Sequence, residues 1–203
     1  MNYQTVQDTE QETIIRKSRF IAIVKRVSSE EEMFNALTQI RRAHGLATHV
    51  CYGAVIDERG NVARFSDDGE PSGTAGAPIL ETIKNAKLRQ TLVAVVRYFG
   101  GIKLGAGGLT RAYSSVANEA LKSATKIMMV ETDFYEIEMD FSKAKRVSGI
   151  MERRGIRIKK TEYASNVKML IAVDVGVNIE SIMSEILGAK PSLVFVKTDY
   201  DQV

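Results

Sequence analysis

With 203 residues, 44% apolar and 26% charged, the chain can build one or two compact units with real hydrophobic cores, and global disorder is excluded. Its 28 basic and 25 acidic residues leave a formal charge of +3, so a nucleic-acid role cannot rest on net charge and would need local clustering. Cys51 is the single cysteine, which excludes an intrachain disulfide and a multi-cysteine zinc site.

The opening MNYQTVQDTEQET is polar and acidic where a signal peptide would be basic then apolar. No stretch approaches the roughly 18 apolar residues of a membrane span. A cytoplasmic protein with no membrane partner is expected.

Residues 18 to 27, SRFIAIVKRV, alternate apolar and polar and read as a strand, after a strand start at Thr13 to Arg16. A helix follows: Ser29 and Glu32 have capping-box spacing, Met33, Phe34, Leu37 and Ile40 form an apolar stripe, and Gly45 stops it. THVCYGAVID (48 to 57) and VARFS (62 to 66) flank a turn and predict a hairpin. A helix is expected from Gly76 to Pro78 onward through Ile79, Leu80 and Ile83. TLVAVVRYF (91 to 99) reads as a buried central strand, and Leu109 to Thr125 as a helix. The remaining segments FYEIEMD, SKAKRVSGIMERR, IRIKKTEY, VKMLIAVDV, NIESIMSEIL and SLVFVKTD give strand, helix, strand, strand, helix, strand. That order is the βαββαβ, ferredoxin-like unit. Domains are therefore expected at residues 1–130 and 131–203.

Two loops carry the chemistry-bearing residues of the first domain. RYFGGIKLGAGGLTR (97 to 111) places Gly100, Gly101, Gly105, Gly107 and Gly108 between a buried strand and a helix start, with Arg97, Lys103 and Arg111 nearby. Such a loop can cradle an anion, because glycines admit close backbone approach and a helix N-terminus presents unpaired donors. It can equally serve only a tight turn and close helix packing. No Gly-Lys-Ser/Thr ends it, and GAGGLT lacks the last glycine of GxGxxG, so no nucleotide fingerprint is present. The second loop, with Arg64, Ser66, Asp67, Asp68, Glu70, Ser72 and Thr74, is too polar for core. Its carboxylates have the density for Mg²⁺ or acid/base work, or they make turns and cap the next helix. The spacing is not an EF-hand, and no metal, cofactor or catalytic residue is assigned. His49 and Cys51 share a strand face with His44 nearby, a pattern that more commonly marks inert packing than a dyad or metal site.

The strongest charge signal lies between Lys143 and Lys160. Lys143, Lys145, Arg146, Arg153, Arg154, Arg157, Lys159 and Lys160 stand against Glu152 alone, a local balance of +7. Facing water together, they form a candidate nucleic-acid patch; the alternative is a solvated face offset by distant acids. The strand VKMLIAVDV carries no aromatic for base stacking, which sets aside an RNA-recognition motif.

ATHVCYGAVI (47 to 56), RFSDDGEPSGTAGAPILE (64 to 81) and VRYFGGIKLGAGGLTRAYS (96 to 114) together resemble the signature blocks of the YigZ/IMPACT family. The likeness runs from Ser18 to about Thr125, and the remainder is similar to the extra C-terminal domain of the bacterial YigZ branch. It implies an α+β protein: a ribosomal protein S5 domain 2-like fold followed by a ferredoxin-like domain, resembling two consecutive C-terminal domains of elongation factor G. It implies a translation-associated binding role, with RNA, the ribosome or a translational-control protein as partner. Eukaryotic relatives compete for a partner of the kinase that senses amino-acid starvation, but they carry an RWD domain in front that has no counterpart here, so that partner does not transfer. The family supplies no catalytic residues to carry over, and Ala77 stands where relatives often have arginine. The alternative to a binding protein is an enzyme acting on a phosphorylated small molecule through the glycine-rich loop.

Overall fold

A computed structural model describes residues 2–203, which divide into two compact units, one of Tyr3–Met128 and one of Met129–Val203 together with Asn2. In the first unit, β2 (Thr9–Ile15) and β3 (Ser18–Arg26) form a hairpin with Ile15 opposite Ser18, after the short strand β1 (Tyr3–Val6). The two-residue turn Arg16–Lys17 has φ of 44° and 67°, the doubly left-handed geometry that matches the twist of a hairpin but disfavours residues with a Cβ.

Helix α1 (Glu30–Ala43) starts where the Ser29 hydroxyl accepts the Glu32 N–H at 3.1 Å, so the capping signal is real at the helix end it marked. Its stripe is Met33, Ala36, Leu37 and Ile40; Phe34, expected on that stripe, is exposed instead. The hairpin β4 (His49–Val55) and β5 (Ala63–Ser66), helix α2 (Gly76–Asn85), strand β6 (Thr91–Tyr98) and helix α3 (Ala106–Ser123) complete the unit. The sheet order is β2-β3-β6-β4-β5, with antiparallel neighbours throughout.

The sheet is covered on both faces. Ile21, Ile23, Val50, Ala54, Leu92, Ala94 and Val96 pack against α1, while Phe20, Ala22, Val24, Cys51, Val93 and Val95 pack with α2 and α3. This two-sided cover is why β6 reads as an unbroken apolar run rather than an alternating one. Being central, β6 delivers its last residues, Arg97 and Tyr98, straight into the glycine-rich segment.

In the second unit β7 (Lys126–Met139) is followed by α4 (Phe141–Arg153), β8 (Arg157–Tyr163), β9 (Val167–Asp174), α5 (Ile179–Leu187) and β10 (Leu193–Gln202). Strand β7 pairs with β10 and with β9, and β9 with β8, all antiparallel. The resulting order β10-β7-β9-β8 is the ferredoxin-like sheet. Ile137, Met169, Ile171 and Val173 meet Val147, Met151, Ile179 and Met183 in one core, so both helices lie on one face of the sheet. Gly188 closes α5 in the left-handed conformation at φ 67°.

Candidate functional site

The carboxylate loop is locked by its own acids. Asp67 accepts the N–H groups of Gly73, Ala75 and Gly76 at 2.8 to 2.9 Å, and so does for α2 what a side-chain N-cap normally does. Burial works to raise its pKa, but the bonds from Gly73, Gly76 and Ala75 outweigh it and hold the carboxyl below its ordinary 3.8. Asp68, at φ 43°, binds Arg41 Nη2 at 2.7 Å and the Val50 N–H at 2.6 Å, and its carbonyl lies 2.7 Å from His49 Nδ1.

Glu70 is interior. Its Oε1 accepts from Arg97 Nη1 at 2.6 Å and from the Tyr113 hydroxyl at 2.7 Å, with the Arg97 and Glu70 side chains 5% and 4% exposed. Cys51 Sγ donates to the Asp67 carbonyl at 3.0 Å and reaches the Tyr113 hydroxyl at 3.5 Å. Burial, together with the charges of Glu70, Asp68 and Asp67, pushes the Cys51 thiol up to about 12, far from a reactive thiolate at neutral pH. His49 and Cys51 therefore brace the loop. No group of three His, Cys, Asp or Glu side chains among the described residues is arranged to hold a metal ion.

Three residues expected on the binding surface are thus in the interior. Glu70 and Arg97 form a buried ion pair, and Thr74 is buried with its hydroxyl donated to the Pro71 carbonyl at 2.6 Å. A polar residue in a polar stretch is exposed only if no other element covers it, and here β6 and α3 do. Ser66 Oγ accepts the Asp68 N–H at 3.1 Å, Arg64 is exposed and pairs with Glu30 at 2.5 Å, and Ser72 is exposed.

The glycine-rich segment is shorter than the sequence pattern suggests, because α3 begins at Ala106 rather than Leu109. Gly107 and Gly108 are therefore residues of the first helical turn. Gly105 occupies the cap position at φ 73°, which a residue with a Cβ adopts only under strain, and it brings no capping side chain. At the other end, a Cβ on Gly100 would stand 2.0 Å from the Lys17 carbonyl oxygen. The absent side chain lets the β2–β3 turn dock against the loop, where Ser18 Oγ accepts from Gly100 N–H at 3.2 Å and Arg97 Nη2 at 3.4 Å.

The two loops meet. Glu70 and Pro71 from one, and Phe99, Lys103, Leu104, Gly105, Ala106 and Leu109 from the other, line a cleft of ≈ 330 Å³ together with Arg97. On the other side of Leu104, a depression of ≈ 320 Å³ is lined by Ile15, Arg16, Gly108, Arg111, Ala112 and Ser115. Arg16, Lys17, Lys103 and Arg111 are all exposed, and none forms an ion pair among the described residues. Sequence reading passed over Arg16 and Lys17, which belong to a distant hairpin, and over Phe99 and Tyr113. The only available signal was Arg-Lys at the centre of a two-residue turn, where glycine or asparagine is the favoured chemistry.

The basic segment 143 to 160 behaves otherwise. Arg157 binds Asp201 and Asp174 at 2.8 Å each and Thr132 at 3.0 Å, Lys159 pairs with Asp201 at 2.6 Å, and Lys160 with Glu162 at 2.6 Å. Arg154 pairs with Glu185 at 2.8 Å and Lys143 with Asp140 at 3.5 Å. Only Lys145, Arg146 and Arg153 are left without an ion pair among the described residues. Nor do the eight share a face: Ile158 packs into the helix-side core, so Arg157, its neighbour in the strand, points away from the side that carries α4. The local balance of +7 is offset by Asp174, Glu185 and Asp201 from other elements and by Asp140 and Glu162 close by in sequence, a correction to the single patch expected.

This is a two-unit α+β protein whose first unit closes a cleft between a carboxylate-locked loop and a glycine-capped helix. The Impact N-terminal domain matches residues 16–121, and the chain belongs to the IMPACT family. It is 39% identical over 168 residues to the IMPACT family member YvyE of Bacillus subtilis, covering 82% of this chain and 77% of that protein. The IMPACT family member YigZ of Escherichia coli is 30% identical over 161 residues, 78% of this chain and 79% of that protein. Among solved structures, a hypothetical protein at 25% identity covers 97% of this chain and 98% of its own, with a TM-score of 0.65. No helix among the described residues is long and apolar enough to cross a membrane.

Proposed function

We propose that this chain is a non-enzymatic, cytoplasmic binding protein of translation, and that it meets an RNA-containing partner through the exposed rim Arg16, Lys17, Lys103 and Arg111 of the first unit. One observation carries the proposal. Around the cleft the acids Asp67, Asp68 and Glu70 are all taken up by internal hydrogen bonds and ion pairs, while these four bases have no counter-charge among the described residues. An acid already accepting two or three bonds is a poor general base, whereas free exposed cations suit a phosphate backbone. The translational class comes from the family resemblance, and the basic residues Lys145, Arg146 and Arg153 of the second unit assist.

Sedimentation with ribosomes and with total RNA, over a salt series, tests this. Four phosphate contacts would give a log–log slope of about −3 on single strands. Reversing Lys103 and Arg111 to glutamate should weaken association and halve that slope. Absence of co-sedimentation at low salt, or association indifferent to salt, would remove the proposal.

A further inference from the structure

The cleft between the two loops has a feature that backbone contact with RNA does not require. Helix α3 has 18 residues, yet its positive end has no side-chain cap and no acid in its first turn. Helix N-termini are ordinarily satisfied by a hydroxyl, an amide or a carboxylate, and the other long helix of this unit, α1, has both Ser29 and three glutamates there. Around the α3 end the charges are instead positive. Lys103 lines the cleft beside Gly105 and Ala106, and a Cβ on Gly107 would stand 3.9 Å from Arg111 Nη1, so that guanidinium lies against the first turn. Cations at the positive end of a helix repel it unless an anion lies between them.

A second, independent observation points to the same place. Arg97 lines this cleft with a side chain 5% exposed, and its Nε is a buried donor with no hydrogen-bond partner among the described residues. Buried donors are almost always satisfied, so an orphan at a cleft wall marks a missing acceptor. Glu70 does not supply it: the bonds from Arg97 Nη1 and the Tyr113 hydroxyl both go to its Oε1, and neither carboxylate oxygen takes the Arg97 Nε proton. The remaining walls, Pro71, Phe99, Leu104 and Leu109, are apolar, and ≈ 330 Å³ is at the small end of ligand pockets.

We propose that this cleft binds a phosphorylated small molecule, with the phosphoryl oxygens on the free α3 amides, Lys103 and Arg97 Nε, and an apolar or aromatic moiety against Phe99, Pro71 and Leu104. The Glu70–Arg97 pair forms the rigid floor that aims the Arg97 side chain. The site shares Lys103 with the rim of the RNA reading but uses neither Arg16 nor Lys17, so the two are distinguished by variants of the α3 end rather than of Lys103.

Calorimetric titration of the whole chain with a 5′-mononucleotide, its parent nucleoside and inorganic phosphate tests the site. The mononucleotide should bind, the nucleoside should bind at least tenfold more weakly, and Lys103→Ala should cost about tenfold in affinity, as expected for one charge-assisted bond. Ala106→Glu provides the check on structure: a carboxylate in the first turn should raise Tm while abolishing mononucleotide binding. Equal affinity for nucleoside and mononucleotide, no binding by any of the three, or binding untouched by Lys103→Ala and Ala106→Glu overturns the proposal. RNA association that survives in Ala106→Glu separates failure of this site from failure of the RNA reading.

Discussion

The loop pair of the first unit and the basic segment of the second carry opposite lessons about charge. Along the sequence the first mixes acids with bases and looks balanced, while the second is almost purely basic. Folded, the first loses its acids to internal bonds and leaves Lys103 and Arg111 unpaired among the described residues, whereas the second loses three of its eight bases to acids on other elements and two more to acids two or three residues away in sequence. A run of like charge in sequence says little about surface potential, because ion pairing is decided by neighbours in space.

The sharpest way to break this comparison is at the buried pair. Glu70→Ala leaves the Arg97 charge interior and unpaired and should destabilise the chain by about 3–5 kcal/mol in urea unfolding. Replacing both partners, as Glu70→Leu with Arg97→Met, should recover most of that loss; if the double variant is no better than the single, the pair is not the cause.

Asp67→Ala comes next, at about 2 kcal/mol, because three N–H groups at the α2 entrance lose a charged acceptor. The folded-state pKa of Asp67 is depressed, so its contribution is fully present above 3.8 and drains away as pH falls through the depressed value. The gap between wild type and Asp67→Ala in urea midpoint should therefore be wide at neutral pH and narrow toward about pH 2. A gap constant with pH would mean that the carboxylate's charge is irrelevant.

Arg157→Ala should cost less, about 1–2 kcal/mol by thermal unfolding, since Asp201 keeps Lys159 as a partner. The smallest effect belongs to the free cations. Lys103→Ala and Arg111→Ala should each change stability by no more than about 0.5 kcal/mol, in contrast to their effect on binding. A large loss of stability at either would show that the rim is structural and not a contact surface.

Much of the element order was legible. Strand β6 announced itself by a continuous β-branched run, α5 by its 3.6-residue stripe and closing Gly188, and α1 by Ser29 and its following glutamates. The start of α3 was not, because glycines disfavour helix and the pattern gave no reason to count Gly107 and Gly108 inside it. The tertiary packing of α3 on Phe20, Cys51 and Val95 outweighs that propensity.

The candidate site divides in the same way. Residue types and spacing identified both loops, since Gly100 and Gly105 are needed for a close approach and a left-handed φ, and those are backbone requirements written locally. Sequence could not tell that Glu70, Thr74 and Arg97 turn inward, that Arg16 and Lys17 arrive from another hairpin, or that Asp201 and Glu185 neutralise the basic segment. Local conformation follows from short-range sterics and hydrogen bonding, and so can be read from the chain. Burial and ion pairing depend on which elements come together across the fold, and only the tertiary structure decided them.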